Sequence, residues 1–322
     1  MARVLVSGGV GFIGYHLTRA LLARGDDVAV VDDFSDAPYP VAEKRRNERD
    51  LLAEFPRLHV TRACVTDRAA VAPLFDGVET VVHLAGLAGV RPSFAQPARY
   101  ARVNVEGTAV MQELARERGI ERFLFASSSS VYGNATPLPA REEAPAVVPE
   151  SPYAASKRGA ELVASALSLR SPSMRCTALR FFTVYGPRQR PEMAITLFTR
   201  AVLAGRPIRM FGDGSMRRDF THVDDIVRGI LAAVERAPVG YRAYNLGSSA
   251  PIELRGLIRE IGDAAGVEPI VEREPVPLGD VDATYADVTR ARGELGWEPR
   301  IPLREGLQTV LGWVREHPTA AG

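Results

Sequence analysis

The length, composition and charge of the chain exclude several classes of protein. Its 322 residues exceed the size of one ordinary domain, so a large unit with a smaller partner is expected. Forty basic and 39 acidic residues leave a formal charge of +1, without the basic excess of nucleic-acid or membrane-surface binders. Two cysteines and five histidines, lacking metal-ligand spacing, argue against a disulfide framework or a metal cluster.

Strand-like and helix-like segments alternate from residue 1 to about residue 182. The predicted strands are Val4–Ser7, Val28–Val31, Leu58–Arg62, Thr80–Leu84, Arg122–Ala126 and Thr177–Phe181. The clearest predicted helices, with apolar residues at three- and four-residue intervals, are Gly11–Arg24, Tyr100–Arg118 and Tyr153–Leu169. This alternation predicts an α/β fold with a Rossmann-type, doubly wound parallel sheet.

The pattern changes after Phe181, where proline and glycine become frequent, as in Gly186-Pro187 and Gly212-Asp213-Gly214. Such segments indicate a smaller, loop-rich α/β region that contributes a substrate pocket. We assign residues 1–182 and 219–248 to a dinucleotide-binding domain and residues 183–218 and 249–322 to a smaller substrate-binding domain. Because the first residues match no signal peptide and no apolar run reaches the roughly 20 residues of a bilayer span, we expect a cytoplasmic protein without a membrane partner.

The first strand leads into a glycine turn that predicts a dinucleotide site. Gly8 permits the tight turn, Gly11 allows the backbone to approach a pyrophosphate, and Gly14 allows close packing of helix and strand. The second strand ends at Asp32 and Asp33, where a carboxylate accepts hydrogen bonds from the ribose hydroxyls and repels a 2′-phosphate. We therefore expect NAD rather than NADP. The alternative for the two aspartates is a solvated turn.

A second group of residues predicts the catalytic chemistry. Tyr153 and Lys157 are four residues apart on one helix face, after Pro152. A free tyrosine has a pKa of about 10, but a neighbouring ammonium and a cationic nicotinamide favour the phenolate, so Tyr153 is the predicted base and Lys157 its tuner. Ser128 follows a buried strand and is predicted to share the substrate proton. Taken alone, such a pair is more often a surface pair and such a serine run a loop.

These motifs resemble the extended short-chain dehydrogenases/reductases from Arg3 to about Trp297. The resemblance implies further NAD contacts at Phe12, Ile13, Phe34, Val65, Leu84, Ala85, Gly86, Asn104 and Phe181. It also implies that Arg218 contacts a nucleotide diphosphate and Asp280 a nucleoside ribose. In one departure, Cys64 stands where relatives usually have an aspartate for the adenine amino group.

Within that superfamily, the stretch from Arg180 to Ala194 is similar to the UDP-glucuronate 4-epimerases. The most discriminating features are Thr183 and the run Arg190-Pro191-Glu192-Met193-Ala194. The family often has tryptophan-glycine where this chain has Arg188-Gln189. The resemblance implies NAD-dependent C4 epimerisation of UDP-glucuronate to UDP-galacturonate through a transient 4-keto sugar, and a homodimer formed through the helices Tyr100–Arg118 and Tyr153–Leu169.

The chemistry of a sugar acid supports this narrower assignment. Its 4-keto intermediate is a β-keto acid, so the carboxylate must be held still to protect the C5–C6 bond. Hydroxyls of Ser128, Ser129, Ser130 and Thr183, with the guanidinium of Arg190, are predicted to hold it by charge-assisted hydrogen bonds. Related dehydratases have two acids in place of Ser129 and Ser130, and related decarboxylases usually keep the glutamate.

Several interpretations remain open at this point. Arg91 is predicted to line the sugar pocket, although a surface arginine fits its pattern almost as well. The substrate is alternatively a neutral UDP-hexose or UDP-N-acetylhexosamine. A scaffold or redox sensor that retains NAD without chemistry is a further alternative, but it predicts a broken catalytic triad, whereas all three residues are present.

Overall fold

A computed structural model describes residues 2–36, 39–146, 148–275 and 282–318. The strands are β1 (Arg3–Ser7), β2 (Asp27–Asp32), β3 (His59–Arg62), β4 (Thr80–His83), β5 (Arg122–Ser128), β6 (Arg175–Phe181), β7 (Thr183–Tyr185), β8 (Ile208–Phe211), β9 (Arg217–Arg218), β10 (Phe220–His222), β11 (Gly240–Leu246), β12 (Ile252–Glu253) and β13 (Val271–Glu274). The α-helices are α1 (Phe12–Arg24), α2 (Val41–Glu54), α3 (Arg68–Val71), α4 (Val90–Ala95), α5 (Pro97–Ala101), α6 (Gly107–Glu117), α7 (Pro152–Ser168), α8 (Ala194–Leu203), α9 (Val223–Arg236), α10 (Leu254–Ala265) and α11 (Leu303–Glu316). None of these helices is long and apolar enough to cross a membrane.

Seven parallel strands form the central sheet in the order β11-β6-β5-β4-β1-β2-β3. The strand order reverses between β1 and β4, and the carboxyl ends of such strands border a crevice where ligands bind. The structure confirms the predicted doubly wound sheet, and all six predicted strands belong to it. The seventh, β11, is not evident in the sequence because Arg242 and Asn245 interrupt its apolar run.

Alternate strand residues pack on opposite faces of the sheet, as the two-residue period of a strand requires. Val4 and Val6 of β1 belong to one hydrophobic cluster, together with Val30 and Leu124. Leu5 between them belongs to the cluster on the other face. Each fully buried side chain of this size stabilises the fold by about 1.5–3 kcal/mol, so the two clusters fix the strand register firmly.

The chain after β6 builds a third cluster, which includes Tyr185, Phe198, Leu257 and Leu307. It joins helices α8, α10 and α11. Three two-stranded sheets, β10-β7, β12-β9 and β13-β8, lie outside the central sheet. This smaller α/β region faces the carboxyl ends of the central strands across a cleft.

The predicted helix Tyr100–Arg118 is interrupted. A π-helical turn spans Arg102–Glu106 between α5 and α6. Its residue Asn104 is buried, and the side chain binds the backbone of Leu87 through both amide atoms, accepting from the amide nitrogen at 2.8 Å and donating to the carbonyl at 3.0 Å. Such single-turn widenings often occur at functional sites. Here the turn holds the loop that follows β4.

Candidate active site

One large cavity, about 1080 Å³ in volume, follows the carboxyl ends of the central strands. It extends from the glycine turn after β1 to strand β8 of the smaller region. Ordinary small-molecule pockets measure about 300–1,000 Å³, so this cavity has room for two large ligands end to end. All predicted site residues line it except Phe34 and Asn104, which are not among the lining residues, and Asp280, which lies outside the described residues.

The glycine turn provides a cradle that side chains would fill. Gly8 has φ +71°, and a Cβ atom there would lie 2.7 Å from the amide nitrogen of Ala85. A Cβ atom on Gly14 would overlap the carbonyl oxygen of Gly8. The amino end of α1, from Gly11 to Gly14, lines the cavity, and unpaired amide groups at a helix start bind phosphate oxygens. The turn therefore fits the pyrophosphate of NAD.

Asp32 and Asp33 lie at the end of β2, as predicted, and Lys44 of α2 accompanies them. The Lys44 ammonium is 2.9 Å from Oδ1 of Asp32 and 3.5 Å from Oδ1 of Asp33. Burial raises the pKa of Asp33, but hydrogen bonds from Ser35 and the Lys44 charge outweigh burial and leave this pKa below its ordinary value. Phe34 donates its amide to Oδ1 of Asp32 at 2.9 Å. Among the described residues, no recorded hydrogen bond uses Oδ2 of Asp32, which suits a ribose hydroxyl.

Tyr153 and Ser128 meet where β5 and α7 converge. Ser151 caps α7 by accepting from the Ala154 amide at 3.1 Å, and Pro152 occupies the first helical position. This start places Tyr153 on the cavity wall, beside Ser128. Burial raises the pKa of Tyr153, whereas the Ser128 hydroxyl and the positive charge of Arg190 oppose the rise.

Lys157 lines the same wall one turn further along α7. Its ammonium donates to the carbonyl oxygen of Ala126 at 2.9 Å, and a Cβ atom on Gly86 would lie 3.0 Å from it. Burial lowers the pKa of Lys157 to about 8, and the charge of Glu161 partly offsets this. The positive charge that opposes the rise in the pKa of Tyr153 is that of Arg190. The predicted tuning of Tyr153 by Lys157 stays a prediction.

The predicted sugar-binding residues surround the cavity beyond Tyr153. Ser129 and Ser130 lie in a 3-10 turn that starts after Ser128, whose Oγ accepts from the Ser130 amide at 3.2 Å. Thr183 begins β7. Arg190 is 18% exposed and its guanidinium lies 3.1 Å from the Glu192 carboxylate. Hydroxyls and a guanidinium line this end, together with the Glu192 carboxylate that pairs with the guanidinium. The structure brings the predicted group together.

The far end of the cavity contains residues that the sequence pattern does not single out. Arg209, Phe211 and Met216 line it beside the predicted Arg218. The guanidinium carbon of Arg91 lies 4.9 Å from the centre of the Phe211 ring, a cation–π contact across the cleft. The glycines that follow Phe211 mark a turn, which is the only signal in the sequence that this segment borders a pocket.

A buried ion pair supports the strand end that carries the serines. Glu161 of α7 is fully buried and accepts from Arg180 through both oxygens, each at 2.8 Å. Ser127 donates to the same carboxylate at 2.6 Å. Burial raises the pKa of Glu161, but the hydrogen bonds and charge of Arg180 outweigh burial and lower this pKa overall. The charged residue within the apolar strand β6 is the sequence signal that could have identified the pair.

The sheet, the glycine cradle and the tyrosine–serine pair define a Rossmann-type enzyme that uses a dinucleotide. The chain belongs to the NAD dependent epimerase/dehydratase family, whose model matches residues 4–247. It is 36% identical over 322 residues to a UDP-glucuronate 4-epimerase of Thermodesulfobacterium geofontis, covering 98% of this chain and 97% of that one.

Two solved structures show the same fold. The UDP-glucuronic acid 4-epimerase of Bacillus cereus, in complex with UDP-glucuronic acid and NAD, has a TM-score of 0.90 and 30% identity, covering 98% of this chain and 99% of that chain. The UDP-glucose 4-epimerase of Thermotoga maritima, with UDP-glucose, has a TM-score of 0.86 and 32% identity at the same coverage.

Proposed function

We propose that this chain is an isomerase, an NAD-dependent 4-epimerase that interconverts UDP-glucuronate and UDP-galacturonate through a transient 4-keto sugar. The observation that carries the choice of substrate is the set of groups around the sugar end of the cavity. Ser128, Ser129, Ser130, Thr183 and Arg190 line it together. NAD supplies the acceptor and donor of the hydride. The relatives of similar length that act on UDP-glucuronate agree with this choice.

Tyr153 is the proposed base in this reaction. It removes the proton of the C4 hydroxyl as that carbon is oxidised, and returns a proton after the sugar has turned. Ser128 lies beside Tyr153 on the cavity wall, and its hydroxyl accepts and donates within the same proposed network. The Arg190 cation favours the phenolate, and the ammonium of Lys157, fixed on the Ala126 carbonyl, does the same once the nicotinamide is bound.

The remaining hydroxyls and Arg190 hold the sugar carboxylate. Acids at positions 129 and 130 would repel it, because two like charges about 5 Å apart repel by roughly 3 kcal/mol at an effective dielectric near 20. The two serines present no such charge. We propose that Arg91 and Arg218 contact the phosphate and sugar groups of the nucleotide, and that residues 183–218 and 249–322 form the nucleotide-sugar domain.

The product made from UDP-glucuronate tests this proposal directly. The purified chain is incubated with UDP-glucuronate and no added NAD. Chromatography separates the two epimers, which have equal mass, and mass spectrometry detects any product of lower mass. We expect UDP-galacturonate, because a retained cofactor returns to its starting state in each cycle. A UDP-pentose would indicate a decarboxylase instead. If a parallel incubation with UDP-glucose gave product and UDP-glucuronate did not, the chain would be an epimerase of neutral hexoses.

Replacing Arg190 with methionine is expected to reduce kcat/KM for UDP-glucuronate roughly 10- to 150-fold. A hydrogen bond to a charged group contributes about 1.5–3 kcal/mol, and methionine keeps most of the apolar stem. The same variant raises the pKa of Tyr153 by removing a cation, so the acidic limb of the pH–kcat profile moves to higher pH. Steady-state kinetics on UDP-glucuronate and UDP-glucose check this. Equal losses for both sugars would contradict the assigned carboxylate contact.

We also propose that the chain forms a homodimer through α5, α6 and α7. The outer side of α7 presents Ala155, Leu162 and Ala166, which are seven and four residues apart and so share one helix face, and Leu162 is 55% exposed. Small and apolar residues in this pattern let two helices from separate subunits approach closely. Exposed apolar patches rimmed by polar residues often mark such interfaces.

A charge on this helix face is expected to separate the subunits. Leu162→Arg places like charges opposite each other across a two-fold axis, so light scattering of the variant should report a mass near 34.9 kDa, that of one chain. Val239→Arg is the matched control, because Val239 is also 55% exposed but lies outside α7, and it should leave the dimer intact. A monomeric unmodified protein would contradict the proposal.

A further inference from the structure

The segment from Gly186 to Met193, named here the 186–193 loop, contains a residue that serves the site without touching the cavity. Gln189 and Arg190 line the cavity, whereas Arg188 is not among its lining residues. The backbone of Arg188 has φ +66°, a left-handed conformation that side chains rarely adopt. Such strain persists only where the surroundings fix it, and it is concentrated at ligand-binding segments.

The guanidinium of Arg188 is enclosed by three helices. It donates to Oδ1 of Asn47 at 2.6 Å and to Oδ2 of Asp50 at 2.5 Å, both on α2. Its central carbon lies 3.9 Å from the ring centre of Tyr15 on α1 and 4.5 Å from that of Trp313 on α11. The side chain is only 10% exposed. A buried cation that donates to an amide and a carboxylate and lies against two aromatic rings has little freedom to move.

The same contacts tie the loop to the dinucleotide site. The Tyr39 hydroxyl donates to the carbonyl oxygen of Arg188 at 3.0 Å. Asn47, which accepts from Arg188, donates to the carbonyl oxygen of Val10 at 2.9 Å, within the glycine turn. The loop backbone at residue 188 is therefore fixed relative to the place where the cofactor pyrophosphate fits.

Residue 190 follows this fixed point by two positions. Gln189 donates to the carbonyl oxygen of Val184 at 2.7 Å and accepts from Thr196 at 2.9 Å, so the intervening residue is also held. Arg190 then reaches the cavity close enough to Tyr153 to act on its ionisation. The direction of Arg190 is thus set by an anchor on one side and by its ion pair with Glu192 on the other.

We propose that Arg188 is a positioning residue for substrate choice: its enclosure between α1, α2 and α11 fixes the 186–193 loop so that Arg190 meets the sugar carboxylate. The inference rests on the proposed function, because it requires Arg190 to discriminate UDP-glucuronate from UDP-glucose. Removing the Arg188 side chain changes none of the residues that line the cavity, but it releases the 186–193 loop from its anchor. Misplacement of a binding group by about 1 Å can cost up to roughly 100-fold in rate.

A double-mutant cycle tests the proposal. The ratio of kcat/KM for UDP-glucuronate to that for UDP-glucose is measured in the unmodified protein, Arg188→Ala, Arg190→Met and the double variant. We expect Arg188→Ala to lower the ratio roughly tenfold or more, and to have no further effect once Arg190 is methionine, because neighbours that act through one another are not additive. The dissociation constant of UDP alone should stay within about twofold, since its contacts lie elsewhere.

Two further variants separate positioning from general destabilisation. Arg242→Ala removes another arginine that donates to both oxygens of one carboxylate, that of Glu294, and neither residue lines the cavity, so the ratio should be unchanged. Arg188→Lys keeps the charge but cannot donate to Asn47 and Asp50 at the same time as a guanidinium does, so it should lower the ratio partially. If Arg188→Ala does not fold, Arg188→Lys replaces it in the double-mutant cycle. An unchanged ratio, or an equal fall with and without Arg190, overturns the inference. An unmodified protein that does not convert UDP-glucuronate overturns the proposed function instead.

Discussion

Tyr153→Phe is expected to lower kcat for UDP-glucuronate by roughly 10²- to 10⁴-fold, the usual contribution of a general base. The change removes one oxygen and leaves the ring, which packs against Tyr100 with 6.2 Å between ring centres. The wall of the cavity therefore keeps its shape. We expect the variant to retain NAD and to bind UDP-glucuronate, because neither the glycine turn nor Arg190 is altered.

Stopped assays of product formation, together with quantification of bound NAD, measure this effect. Tyr100→Phe is the matched control, since it removes a hydroxyl that donates to the carbonyl oxygen of Ala88 at 2.9 Å but lies outside the cavity lining. The control should keep kcat within about threefold, in line with the modest worth of one neutral hydrogen bond. Comparable turnover by Tyr153→Phe and the unmodified protein would exclude Tyr153 as the base.

Glu161→Ala is expected to destabilise the protein by about 3–5 kcal/mol, because it leaves the Arg180 cation buried without its partner. Both side chains are almost inaccessible, at 0% and 3% exposure, so water cannot replace the lost carboxylate. Ser127 also loses its hydrogen-bond acceptor, next to the serines that we assign to the sugar carboxylate. Urea unfolding at a fixed, saturating NAD concentration measures the difference, since ligand binding itself adds stability.

The matched comparison is Glu54→Ala, which breaks a more exposed pair with Arg19. Exposed ion pairs contribute about 0–1 kcal/mol, so this variant should unfold at nearly the same urea concentration as the unmodified protein. If the two variants lost similar stability, burial would not explain the importance of the Glu161–Arg180 pair.

Much of the dinucleotide half of the site could be predicted from the sequence because it depends on local chain geometry. Gly8, Gly11 and Gly14 have fixed spacing in one turn, and Asp32 ends the following strand. The seven-stranded sheet and the cofactor followed from these patterns, as the structure and the comparisons confirm. Tyr153 and Ser128 lie together because strand β5 ends, and helix α7 begins, at the same edge of the sheet.

Contacts between residues distant in sequence could not be predicted in this way. Lys44 beside Asp32 and the enclosure of Arg188 depend on how helices pack on the sheet, and neither leaves a periodic signal. Asn104 shows a related limit: the resemblance implies an NAD contact there, whereas in the structure its side chain is hydrogen-bonded to the backbone of Leu87, outside the cavity lining. The Phe34 ring faces the guanidinium of Arg62, with 4.6 Å between its centre and the guanidinium carbon.

The junction between β6 and β7 constrains how the sugar reverses its orientation. Phe181, which we assign to the cofactor, and Thr183, which we assign to the sugar, both line the cavity and are two residues apart, a span of at most about 7 Å along the chain. Arg180 anchors this short stretch in the core. The two halves of the cavity therefore cannot move far apart at this wall, because a short, anchored segment connects them. We therefore expect the hexose to invert by rotating about its own link to the diphosphate, against a wall that keeps its shape.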